Sequence, residues 1–139
     1  MWTKFHSVVT KEVTKEQMWK LFADVNNWHK WDSGIEYAKM KGPFEKGNVF
    51  ELKPKGGPKV KIKLIEVIEN RAFTDLTRFP LARMYGEHIL DETEEGLKIT
   101  TTMSMEGVLG FLWIKIIAQK IVDDLPVQML EQIQYASKL

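Results

Sequence analysis

The spacing of apolar residues along this chain changes from two to helical and back again, and the changes mark out its elements. Residues 2–11 (WTKFHSVVTK) are rich in β-forming side chains and alternate loosely, which predicts a first strand. Thr14 with Gln17 three residues on has the form of a helix-opening capping box. Met18, Trp19, Leu21, Phe22 and Val25 then recur at helical spacing, predicting a short amphipathic helix over about 14–24. Asn26-Asn27 interrupts that pattern and is expected to cap a second helical turn through Trp28 and Trp31, before turn chemistry at Asp32-Ser33-Gly34.

Strand periodicity returns with turn signals at hairpin spacing. The predicted strands are Ile35–Lys41, Asn48–Lys53, Lys59–Glu69, Phe73–Phe79, Arg83–Asp91 and Leu97–Glu106. In the last, Leu97, Ile99, Thr101, Met103 and Met105 share one face. After Gly107 the period is helical to the end. Leu109, Leu112, Trp113, Ile116, Ile117, Ile121, Leu125, Met129, Leu130 and Ile133 trace an apolar stripe. Pro126 stands inside it, so a kink or a two-segment helix is expected there, with Asp123 or Asp124 recapping the chain. The fold class is therefore α+β: a seven-stranded antiparallel sheet with two short helices after strand one and a long C-terminal helix over its apolar face. A curved sheet wrapping one helix can enclose a hole.

At 139 residues the chain suits one domain, taken as 1–139, which can bury roughly 70% of its unfolded surface without a staple. It has no cysteine, which excludes disulfides, thiol nucleophiles and thiolate metal sites. Twenty basic side chains against nineteen acidic ones give no net field for nucleic acid. The opening segment has neither a basic head nor an apolar stretch of the targeting kind, and the run Val108–Ile114 is too short to span a bilayer. A cytoplasmic protein without stable membrane insertion is the expectation. Five Trp, seven Phe, three Tyr and seven Met are the unusual feature, more adaptable apolar volume than a small core requires.

Four stretches carry a family resemblance. They are the Val13–Trp19 helix opening, the segment Trp28-His29-Lys30-Trp31-Asp32-Ser33-Gly34-Ile35, the glycine-started Gly47–Leu52 strand, and the glycine step Glu106-Gly107-Val108-Leu109-Gly110. In this order they resemble the START-like, helix-grip (SRPBCC) superfamily, and more narrowly its polyketide cyclase/dehydrase and lipid-transport branch. The resemblance implies an internal cavity for an apolar or amphipathic small molecule, and it implies no particular ligand, since the fold hosts carriers, receptors and cyclases alike. No cyclase catalytic set matches these positions.

The cavity wall is expected from Phe50, Leu52, Ile62, Leu64, Phe73, Met103, Met105, Trp113, Ile117 and Ile121; the competing expectation is that these side chains fill the interior. His88 shares parity with Met84 and Leu90. If that face is inward, His88 contacts a ligand or moves a proton; otherwise it bonds to backbone or meets water. His6 and His29 are expected to be solvated. Asp75, Glu87 and Glu51 are expected at the rim or outer face, with the alternative that one faces the cavity; a buried Asp75 would be raised in pKa unless paired, for example with Arg71, Arg78 or Arg83. Trp28 and Trp31 either plug the cavity mouth or anchor the small helices. Lys39, Lys41, Lys53, Lys55, Lys59, Lys61 and Lys63 line an outer face that either is simply solvated or meets an anionic membrane surface or an acidic partner. No metal-ligand spacing and no phosphate loop are present, and no cofactor is expected.

Three functions follow as alternatives: a carrier of a hydrophobic or aromatic molecule, an enzyme of cyclase, aromatase or dehydratase type using the same cavity, and a protein-interaction module. Two ionisable groups facing one another inside favour the enzyme, and wholly apolar walls favour the carrier.

Overall fold

In the computed structural model, which describes residues 1–139, Thr14 opens the first helix through the expected capping box. The Gln17 amide donates to the Thr14 hydroxyl at 3.1 Å, and the Thr14 amide donates to Gln17 Oε1 at 2.9 Å. Two otherwise orphaned donors are thereby satisfied. This helix, α1 (Lys15–Ala23), follows strand β1 (Trp2–Thr10) and buries Met18, Trp19, Leu21 and Phe22. A 3-10 helix, Val25–Lys30, comes next. Asn26 and Asn27 lie within it and do not cap it, because burial of Val25 starts the turn one residue earlier. Asn26 instead pairs with the backbone of Met40, and Asn27 donates to Asp24.

Six strands follow: β2 (Ile35–Met40), β3 (Val49–Pro54), β4 (Val60–Ile68), β5 (Ala72–Phe79), β6 (Ala82–Thr93) and β7 (Gly96–Glu106). They form one antiparallel sheet in the order β1-β7-β6-β5-β4-β3-β2. Pairing stacks inner-face residues in rows across the sheet. Trp2, Met105, Met84, Thr77, Ile62 and Phe50 make one row; His6, Thr101, His88 and Phe73 make another. Bulges between Ile35 and Tyr37 and between Leu64 and Glu66 bend the strands locally.

The closing helix, α2, is α-helical over Gly110–Trp113, π-helical over Ile114–Ala118 and α-helical again over Gln119–Ala136. The helix does not divide into two segments at Pro126. The helix continues through the proline, and Asp123 and Asp124 accept from Gln119 and Lys120 rather than recapping the chain. Burial of Leu125, Met129, Ile133 and Ala136 holds this half in place across the missing donor. The irregularity falls earlier, at the π turn, whose extra residue re-phases the apolar stripe. The C-terminal half of α2 rests on α1 and β1. In the N-terminal half only Gly110 and Ala118 are buried. Twenty-five buried apolar residues from every layer form one cluster.

Candidate functional site

Strand pairing brings an acid and a histidine together on the inner face. Phe73 lies opposite His88, and Asp75 lies opposite Gly86. His88 Nε2 stands 3.4 Å from Asp75 Oδ2, with side chains only 15% and 14% exposed. The other ring nitrogen, Nδ1, is 3.4 Å from the Thr101 hydroxyl. These contacts are long, so apolar neighbours do most of the positioning. Phe73 stacks on the imidazole at 4.2 Å and 12°, and Phe22 of α1 closes over it at 5.7 Å.

Asp75 is therefore neither a rim residue nor paired with arginine. Its side chain points inward because it shares parity with Phe73, and its partner is His88 because β5 and β6 pair in that register. Gly86 makes room for it: a Cβ there would stand 2.9 Å from Asp75 Oδ1. A glycine inside a strand is the sequence signal that marks such a close approach. The Thr77 hydroxyl, two residues along the same face, is buried without a hydrogen-bond partner. His6 also departs from expectation, lying half-buried on the inner face opposite Thr101, whereas His29 is exposed. Glu87 is exposed.

The expected wall residues fall into two groups. Phe50, Leu64, Phe73, Met103 and Met105 are sealed in the core. Leu52 and Ile62 on the sheet, and Trp113 and Ile121 on α2, are half-buried against the core, and Ile117 is half-buried without joining it. Met40 and Phe79 are also half-buried against the core. The apolar stripe of α2 thus reaches full burial in its C-terminal half, at Leu125, Met129, Ile133 and Ala136, and only partial burial or exposure through most of its N-terminal half. Trp28 and Trp31 anchor the small helices. The Trp28 indole donates to the carbonyls of Leu21 and Phe22 at 3.1 and 3.2 Å, satisfying acceptors at the end of α1, and its ring meets Phe50 edge-on. Asp32 ties this region to α2 by accepting from Gln128 at 3.0 Å.

On the outer face Tyr37 donates to Glu51 at 2.7 Å. That bond first, then Lys59 and Lys39, hold the Glu51 carboxyl below its usual range against partial desolvation. Tyr85 donates to Glu106 at 2.9 Å, which raises the tyrosine above its usual value. Two open depressions stand outside the sheet–helix gap. One of about 540 Å3 lies beside α1, lined by Trp19, Phe44 and Val67 with Lys20, Asp24 and Glu69. The other, about 410 Å3, is on the outer face.

With this geometry in view, the family described as Polyketide cyclase / dehydrase and lipid transport matches residues 3–131. The chain belongs to that family. Its fold is the START-like helix grip, as three solved structures illustrate. Hypothetical protein jhp0584 from Helicobacter pylori is similar at TM-score 0.77 and 13% identity, covering 97% of this chain and 88% of the other. Ara h 8.0201 is similar at TM-score 0.77 and 14% identity, covering 99% of both. The di-domain ARO/CYC StfQ of the steffimycin biosynthetic pathway is similar at TM-score 0.72 and 11% identity, covering 98% of this chain and 50% of that one. No curated protein matches the sequence. Family and fold are consistent with a hydrophobic-ligand-binding or cyclase-like protein. No helix is long and apolar enough to cross a membrane.

Proposed function

We propose that this chain binds an apolar or aromatic small molecule between the inner face of the sheet and the N-terminal half of α2. The observation that carries this reading is the graded burial of the wall. Leu52, Ile62, Trp113, Ile117 and Ile121 are half-buried along the sheet–helix gap, and the sheet floor carries His88 paired with Asp75 and the hydroxyls of Thr77 and Thr101 among apolar side chains. Affinity comes from apolar burial, about 25 cal/mol per Å2 before ordering costs. Orientation comes from His88, with the buried Thr77 hydroxyl free to donate to a ligand oxygen. Titration with an anilinonaphthalene sulfonate probe, beside native mass spectrometry of extracted protein, tests it. Saturable one-to-one binding is expected, lost on filling the gap in Ile117→Trp while the far-ultraviolet circular dichroism is unchanged. Non-saturating binding indifferent to that substitution refutes the reading.

The His88–Asp75 pair also supports a second reading, acid–base catalysis of cyclase or dehydratase type. A carboxylate that orients an imidazole equips the ring to take a proton beside a ligand carbonyl and return it to a departing or forming hydroxyl. The reactive chain would be held folded by the same apolar walls. With a poly-β-ketone substrate, His88→Gln is expected to slow turnover about 10²–10⁴-fold with probe affinity retained. Unchanged turnover removes His88 from any catalytic role.

A further inference from the structure

The turn from β5 to β6 puts a leucine where backbone geometry favours glycine. Pro80 and Leu81 are its central residues, and Leu81 has φ 56, in the left-handed region. Its side chain is 67% exposed. Neither backbone preference nor burial accounts for that choice. Gly107, with φ 112, seats this tip against the start of α2, where an added Cβ would stand 2.5 Å from Leu81 O. The Leu109 amide donates to the same oxygen at 3.0 Å, and the Trp113 indole donates to Pro80 O at 2.9 Å while its ring stacks on Phe79. These contacts gather Leu81, Val108, Phe111, Leu112 and Ile116 at one corner, all exposed, Val108 at 79% and Phe111 at 72%. Exposed large apolar side chains in such a group mark a contact surface.

Charge around the corner is one-sided. Antiparallel order brings the β3–β4 turn, with Lys55 and Lys59, to the same end of the sheet as Leu81. Lys59, Lys61, Lys63 and Arg78 line the outer depression beside it. Lys55, Lys61, Lys63, Arg78 and Lys115 have no ion-pair partner. The nearby acids are engaged, Glu51 by Tyr37, Lys39 and Lys59, and Glu106 by Tyr85 and Arg83. Between Glu106 and Asp123 the chain carries no acid at all. At the opposite end the β6–β7 turn holds Glu94 and Glu95, and Glu92 at the end of β6 pairs with Lys15. The unpaired charge around the Leu81 corner is therefore cationic.

Apolar residues that project from a tip, collared by unpaired cations, fit an anionic bilayer surface. A twofold contact between copies would set the same cations against each other. We propose that this end docks peripherally on anionic lipid bilayers, with Leu81, Val108 and Phe111 entering the headgroup boundary and Lys55, Lys61, Arg78 and Lys115 facing lipid phosphates. The proposal stands without any ligand in the gap.

Sedimentation of the full chain with phosphatidylcholine vesicles, with and without phosphatidylserine, tests it. Binding is expected only to the serine-containing vesicles and is expected to fall as salt rises. Leu81→Gly relieves the left-handed backbone, so it folds at least as well; combined with Phe111→Ser it is expected to weaken vesicle binding at least tenfold. Lys61→Glu with Arg78→Glu is expected to weaken it similarly. The anilinonaphthalene sulfonate titration should be unchanged in the apolar pair, which separates docking from ligand binding. Equal binding to both vesicle types, or unaltered binding by the apolar pair, overturns the proposal. So does a change of oligomeric state in that pair with vesicle binding intact, which would assign the corner to contact between copies.

Discussion

Gly86 and Asp75 form a unit in which the missing side chain of one admits the carboxylate of the other. Gly86→Ala is expected to cost about 1–3 kcal/mol by urea denaturation, because a Cβ would displace the acid from beside His88. In an Asp75→Ala background the same change should be nearly free, and the double-mutant cycle measures the difference. Glu51 supplies a pH-dependent counterpart on the outer face. Its carboxyl titrates below the usual range because Tyr37 donates to it, so its contribution is present above the ordinary carboxylate value and is lost as pH falls through the lowered one. Tyr37→Phe is therefore expected to destabilise most at neutral pH. Urea midpoints of the two proteins should converge as pH falls below the carboxylate range. His88 was legible at this scale, since strand parity alone set it beside Met84 and Leu90. Its partner was not: the Asp75–His88 contact depends on the register between two strands, which no spacing along one strand reveals.

Among the elements, the strands could be read to within a residue or two at most ends, because an antiparallel sheet with one wet face writes its alternation into the chain. Pro126 shows where such reading fails. Local chemistry argues for a break, but Leu125, Met129 and Ile133 are buried on either side, and packing outweighs the lost hydrogen bond. Because the helix already runs through, Pro126→Ala should restore a donor without rearrangement and raise stability by about 1–3 kcal/mol, read as a higher thermal midpoint. The π turn left no comparable signal. It falls between the half-buried start of α2 and the half whose apolar stripe is fully buried, and that division frames the proposed binding face. The capping box at Thr14, by contrast, is a purely local device and was readable as such.

For the whole molecule, sheet order has a consequence for the newly made chain. β1 and β2 are consecutive strands, yet they occupy opposite edges of the sheet. β1 can pair only with β7, Trp2 opposite Met105 and Thr10 opposite Leu97. As the chain leaves the ribosome, its first strand must wait without a hydrogen-bonded neighbour until the seventh has been synthesised, and α2, which rests on β1, waits longer still. Nascent chains stalled before β7 are accordingly expected to be cut by protease within Trp2–Thr10, while chains released beyond Ala136 resist. Resistance in the shorter chains would mean that β1 finds an interim partner.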